Sequence, residues 1–141
     1  AAMQEVGVHA CTDVTGFGLL GHLLEMTRGS GVLASVDPGR VPLLPGALDH
    51  SRAGDKPGGL NANRRYVETH LTVDGDPDPA VVDLLFDPQT SGGLLIAVAE
   101  EKAETLDAAL RSRGIVDAVM IGRITGSGPG TIRIDPQTFS G

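Results

Sequence analysis

Six consecutive apolar residues, Leu94 to Ala99, stand between Gly92-Gly93 and Glu100-Glu101. A run of that length without polar alternation is the pattern of a strand buried on both faces. It predicts a sheet with Leu94–Ala99 near its middle and helices packed against it. The residues that follow read as the clearest helix of the chain, Glu100 to Arg113. Glu100, Glu101 and Glu104 lie toward its positive end, Arg111 and Arg113 toward its negative end, and Gly114 stands as its C-cap. With 141 residues the chain has the length of one domain.

The remaining pattern supplies the other layers. Phe17, Leu20 and Leu24 recur at helical spacing within Gly16–Arg28, Leu19, Leu23 and Met26 widen that apolar face, and Gly29-Ser30-Gly31 closes it. Val6–Ala10 is a short apolar stretch before it. Val32–Val36 reads as a strand that ends in the turn Asp37-Pro38-Gly39. A short helix follows Pro45, Gly54–Gly59 reads as a flexible loop, and Asn61 is placed to cap a helix running to Glu68. Leu71–Val73 is a short strand before the turn Asp74-Gly75-Asp76-Pro77. Asp78 as N-cap and Pro79 at the first helical position start Ala80–Phe86, with Val81, Leu84 and Leu85 on one face. Ala118–Thr125 and Thr131–Ile134, joined by Gly126–Gly130, read as a closing hairpin. The expected fold class is α+β, a layered arrangement with a mixed or antiparallel sheet covered by helices.

Charge and composition exclude several functions. The net charge of −7 opposes binding to nucleic acid, whose recognition rests on clustered Lys and Arg. With 3% aromatic residues and no Trp, base stacking has little to work with. The single cysteine, Cys11, forms no internal disulfide, and no apolar run reaches membrane-spanning length, so a reducing cytoplasm without membrane contact is the expected setting. The opening Ala1-Ala2-Met3 fits a processed start, a scar before Met3 or a cut through a longer protein.

Two polar loops are candidates for chemistry. The first is Thr12-Asp13-Val14-Thr15-Gly16-Phe17-Gly18, which leads into a helix N-terminus whose free N–H groups and dipole favour an anion. Asp13 would repel a phosphate there unless a divalent cation sat between them, which makes it a candidate Mg²⁺ ligand. The competing reading is that Asp13 or Thr15 caps the helix. The second loop is Asp87-Pro88-Gln89-Thr90-Ser91-Gly92-Gly93. There Gly92-Gly93 would let a ligand approach the backbone, while Gln89, Thr90 and Ser91 offer uncharged hydrogen-bonding groups. Its competing reading is an ordinary helix-to-strand turn.

Gly16, Gly18 and Gly21 also satisfy G-x-G-x-x-G, with Asp37 after the next strand, but no strand runs straight into Gly16 and repeated βαβ units are lacking. His9, His22, His50 and His70 show no metal spacing with Cys11, so structural roles are expected for them. No third group orients a Cys11–His9 pair. Neither a G-x-x-x-x-G-K-[ST] loop nor a G-x-S-x-G elbow occurs.

The segment from His9 to His22, H-A-C-T-D-V-T-G-F-G-L-L-G-H, resembles the opening of the C-terminal domain of the selenophosphate synthetase (selenide, water dikinase) family. Gly58-Gly59 with Asn63-Arg64 and Tyr66, and then Asp87 to Leu95, resemble two further blocks of that family in the same order. The resemblance implies ATP, selenide and water as substrates, with selenophosphate, AMP and orthophosphate as products and Mg²⁺ as cofactor. It implies that residues 1–141 are a single C-terminal domain, inactive alone, of a longer cytoplasmic enzyme. The N-terminal domain would be its partner and the chief contact of a homodimer. That domain supplies the reactive Cys or selenocysteine, a Lys, most nucleotide contacts and further metal-binding Asp residues, so no catalytic residue is assigned here.

Residue by residue, Asp13 matches the family's metal-binding Asp. Thr12, Thr15, Gly16, Gly18, Gln89, Thr90, Ser91 and Gly92 are implied to face the phosphates. The family's C-terminal domain shares its α/β layered fold with aminoimidazole ribonucleotide synthetase and thiamine-monophosphate kinase. Two alternatives stay open: a sister ATP-dependent enzyme of that superfamily, and a free-standing nucleotide- or anion-binding module.

Overall fold

The computed structural model describes residues 1–140. Twelve regular elements follow one another: α1 (Ala2–Val6), β1 (Ala10–Asp13), α2 (Gly18–Ser30), β2 (Val32–Val36), α3 (Ala47–Ala53), α4 (Gly58–Val67), β3 (Leu71–Val73), α5 (Pro79–Leu84), β4 (Leu94–Ala97), α6 (Ala103–Arg111), β5 (Gly122–Ser127) and β6 (Ile132–Ile134).

The core grows from the apolar stripe of α2. Leu19, Leu20, Leu23 and Leu24 are buried and join Ala34 and Val36 of β2, Ile132 and Ile134 of β6, Leu60 and Val67 of α4, and Val82, Leu85 and Phe86 around α5 in one cluster. Each fully buried large side chain contributes roughly 1.5–3 kcal/mol. Thr27 fixes the far end of α2 by donating its hydroxyl to Leu24 O and Gly130 O, and Gly31 ends the helix at a left-handed φ of 63°. α5 starts as its sequence predicts. Asp78 accepts from Ala80 N and from Arg52, and these hydrogen bonds hold its carboxyl below the usual range.

The four-stranded sheet has the order β3-β6-β2-β5, with β6 parallel to both β2 and β3 and β5 antiparallel to β2. The expected mixed α+β layering is therefore present. The expected hairpin is not, because β2 lies between β5 and β6. Burial explains this: a central place for β6 hides Ile132 and Ile134 almost completely, which an edge position would not.

Leu94–Ala99 also departs from expectation. Only Leu94–Ala97 is strand, and it pairs antiparallel with β1 alone in a separate two-stranded ribbon, not mid-sheet. Leu95 packs against the core, but Leu94 is 55% exposed.

Smaller shifts have local causes. α2 begins at Gly18, two residues later than Gly16. α4 begins at Gly58 after Pro57, so Asn61 lies inside it and caps nothing. The buried face of α5 is Val82 with Leu85 and Phe86 after it, because Phe86 fills the core under α4. Residues Ala2–Val6 are helix, with α1 packed on α6, and α6 itself is preceded by a 3-10 turn at Glu100–Lys102.

Candidate functional site

The ribbon sets the site. In its register Asp13 stands opposite Leu94, Thr12 opposite Leu95 and Cys11 opposite Ile96. Side chains alternate along strands, so Cys11, Asp13, Leu94 and Ile96 share the outward face, while Ala10, Thr12, Leu95 and Ala97 share the inward one. Asp13 is thus the last residue of a strand and exposed, not a loop residue.

Past the strand ends the two polar loops run on together. Val14 N donates to Gly93 O and Gly92 N to Val14 O, both at 2.9 Å, and Gln89 N donates to Thr15 O at 3.0 Å. Segments that the sequence presents as two separate candidates form one junction. The third block closes it: the side-chain amide of Asn63, buried on α4, donates to Gly16 O and to Phe86 O at 2.9 Å each. Phe17 lies against the Tyr66 ring at 5.9 Å between centroids, and Pro88 packs at the Cα of Gly59. Asn63 is the organising residue: the sequence places it in a block that resembles the family but gives it no role, and the structure shows it bridging the two loops.

The glycines divide by what surrounds them. A Cβ on Gly92 would overlap Val14 O and come within 2.5 Å of Gln89 Oε1, so its smallness serves loop-to-loop packing and not ligand approach. A Cβ on Gly18 would lie 2.9 Å from the Phe86 carbonyl, and its φ of 71° is left-handed as well. Gly16 and Gly93 face open space, and with Thr90 and Ser91 they form the exposed rim of the junction.

Neither Asp13 nor Thr15 caps α2. The N-cap is Phe17, without a side-chain bond, and the amides of Gly18 and Leu20 go to Thr15 O and Leu85 O. Thr15 Oγ1 lies instead 3.0 Å from His22 Nε2. The dinucleotide layout does not form: β1 has an antiparallel partner, and Asp37 Oδ1 accepts from Gly39 N.

Electrostatics separate the candidate groups. Partial desolvation and the Asp13 charge push the Cys11 thiol up, which disfavours the thiolate and with it a nucleophilic role. Desolvation also raises the Asp87 carboxyl. Lys56 and Arg64 converge on Asp83, Lys56 at 2.5 Å, and Arg64 also covers the Phe86 ring. Among the described residues no three His, Cys, Asp or Glu side chains gather as a metal site, so Asp13 stands as a single exposed carboxylate. Nor is any helix among them long and apolar enough to cross a membrane.

Comparison with known proteins places this geometry. A family model described as AIR synthase related protein, C-terminal domain, matches residues 1–135. Selenide, water dikinase of Caldanaerobacter subterraneus subsp. tengcongensis is 48% identical over 122 residues, which are 86% of this chain and 35% of that protein. The Clostridioides difficile protein of the same name is 42% identical over 127 residues, 90% of this chain and 36% of its own length. The chain thus spans about a third of the curated relatives it matches. The crystal structure of hydrogenase maturation protein HypE superposes with a TM-score of 0.55 at 22% identity, covering 92% of this chain and 34% of that one, a likeness of fold.

Proposed function

The chain belongs to the AIR synthase related protein C-terminal domain family, and from that premise we propose that it is the C-terminal domain of a selenophosphate synthetase. The full enzyme would convert ATP, selenide and water to selenophosphate, AMP and orthophosphate in the cytoplasm. The observation that carries this reading is the junction itself. The three blocks of residues that resemble the family meet in space, held by Asn63, beside an exposed carboxylate.

The residues present fit a shared Mg²⁺ better than a resident one. Asp13 is a lone exposed carboxylate, and Mg²⁺ keeps several waters and takes substrate phosphates as co-ligands. When bound, the cation neutralises charge on the transferring phosphates. Asp13 would hold it, Thr15 would flank it, and the rim of Gly16, Thr90, Ser91 and Gly93, with Gln89 beside it, would face the phosphates, with Gly18 and Gly92 shaping the backbone beneath; Thr12, on the inward face of the ribbon, would support the strand from behind.

The remaining two thirds of the protein would cover the outward face of the ribbon. Leu94 there is 55% exposed and Ile96 is only partly buried among the described residues, and a two-stranded ribbon is marginal by itself. That partner would carry the reactive Cys or selenocysteine and would form the homodimer contact.

Phosphorus-31 NMR of products tests the reading. The full-length protein with ATP, Mg²⁺ and selenide should yield selenophosphate, AMP and orthophosphate, and the chain alone should yield none. ADP as the final nucleotide without selenophosphate would point to a sister ATP-dependent enzyme. Turnover by the chain alone would overturn its assignment as an incomplete part.

A further inference from the structure

His22 is the one histidine that the fold buries, and neither the motif reading nor the proposed metal role uses it. Its Nε2 lies 3.0 Å from Thr15 Oγ1, its Nδ1 lies 3.3 Å from Glu25 Oε1, and its ring leans on Phe17 at 5.5 Å between centroids. Glu25 sits one turn along α2, half-exposed, while Thr15 lies inside the junction next to the open Gly16. Carboxylate, imidazole and hydroxyl therefore form a chain from solvent to the place where the two loops meet.

The chain has a direction. A carboxylate beside Nδ1 favours the proton on that nitrogen, which leaves Nε2 of the neutral ring as an acceptor. The Thr15 hydroxyl then donates to Nε2, and its oxygen turns lone pairs toward the junction. In this state Thr15 is not a phosphate donor; it is an acceptor for a proton arriving from the loop side.

We infer that Thr15, His22 and Glu25 form a proton relay that serves the water-consuming step at the junction. The inference rests on the phosphate-transfer reading above. The water oxygen forms the new P–O bond, and the bridging oxygen leaves with the electron pair of the P–O bond that breaks. The water proton passes to Thr15 Oγ1 as the Thr15 proton passes to His22 Nε2. The imidazolium so formed is stabilised by Glu25 and returns to neutral by releasing a proton to solvent. Thr15 is the member facing the reaction, and His22 and Glu25 act through it.

Two measurements test the relay. Nitrogen-15 NMR of the chain should find His22 protonated on Nδ1 with Nε2 bare, and Glu25→Ala should shift the ring toward the Nε2–H form. A wild-type ring already protonated on Nε2 alone would overturn the relay, whatever reaction the protein performs. In the full-length protein, Thr15→Val keeps the side-chain shape but removes the hydroxyl, and should lower kcat by about 10²-fold or more with KM for ATP within about twofold, while Thr15→Ser, which keeps a hydroxyl, should recover at least about tenfold of that loss. A Val variant as active as the Ser variant would also overturn it. Failure of the functional reading shows separately, as absence of selenophosphate from the wild-type products.

Discussion

Asp13→Ala in the full-length protein is expected to lower ATP turnover by at least about 10²-fold, the effect of losing roughly 3 kcal/mol of charge stabilisation around a transferring phosphate. Stability of the variant should stay within about 0.5 kcal/mol of wild type, because the substituted side chain is exposed and stabilises nothing in the core. The argument is geometric as well as electrostatic. Asp13 ends β1 on the outward face of the ribbon, and the strand holds it in register opposite Leu94 while the junction with Gly92 and Gly93 begins one residue later. A carboxylate there without a cation would repel the phosphates that the rim is placed to meet. Steady-state turnover with a urea melt on the same preparation separates the two effects, and an Ala variant with near-normal turnover would remove Asp13 from the site.

Phe86→Ala has the largest expected effect on stability, about 3–5 kcal/mol, the usual cost of emptying a fully buried phenylalanine site. The ring lies beneath the Arg64 guanidinium, its backbone O accepts from Asn63, and its carbonyl packs on Gly18. The same residue therefore supports the core and the two loops of the junction. Urea denaturation of the chain should show the loss as a lower midpoint. A loss below about 1 kcal/mol would mean that the pocket collapses around the smaller side chain, contrary to the tight packing described.

Much of this was legible in the sequence, and the exceptions have physical reasons. The Asp78-Pro79 start, the Gly31 stop and the strands Val32–Val36 and Leu71–Val73 follow from local chemistry: caps, left-handed turns and β-branched residues at short range. Long-range pairing is not encoded locally. Ile132 and Ile134 read as the second strand of a hairpin because the turn Gly126–Gly130 precedes them, and pairing with β2 and β3, which no local signal carries, placed them mid-sheet instead. Leu94–Ala97 was legible as strand, but the mid-sheet place and two-faced burial expected for it were wrong, because its pairing with β1 is a long-range matter.

At the candidate site the two loops could be found separately, because each carries its own glycines and polar groups. Their union could not, since it depends on Asn63, which stands in a recognisable block without a role until it is placed between Gly16 O and Phe86 O. Gly92 shows the opposite error. A glycine beside polar residues suggests ligand approach, yet here it makes room for Val14 O.

The most direct test of the central claim, that the joined loops face the phosphates beside a cation on Asp13, is paramagnetic NMR of the full-length protein with Mn²⁺ in place of Mg²⁺ and a non-hydrolysable ATP analogue. Amides from Asp13 to Gly18 and from Gln89 to Gly93 should broaden, while Thr72, Thr125 and Arg133, which line a separate groove on the four-stranded sheet, should stay sharp. Broadening centred on that groove, with Asp13 unaffected, would contradict the account.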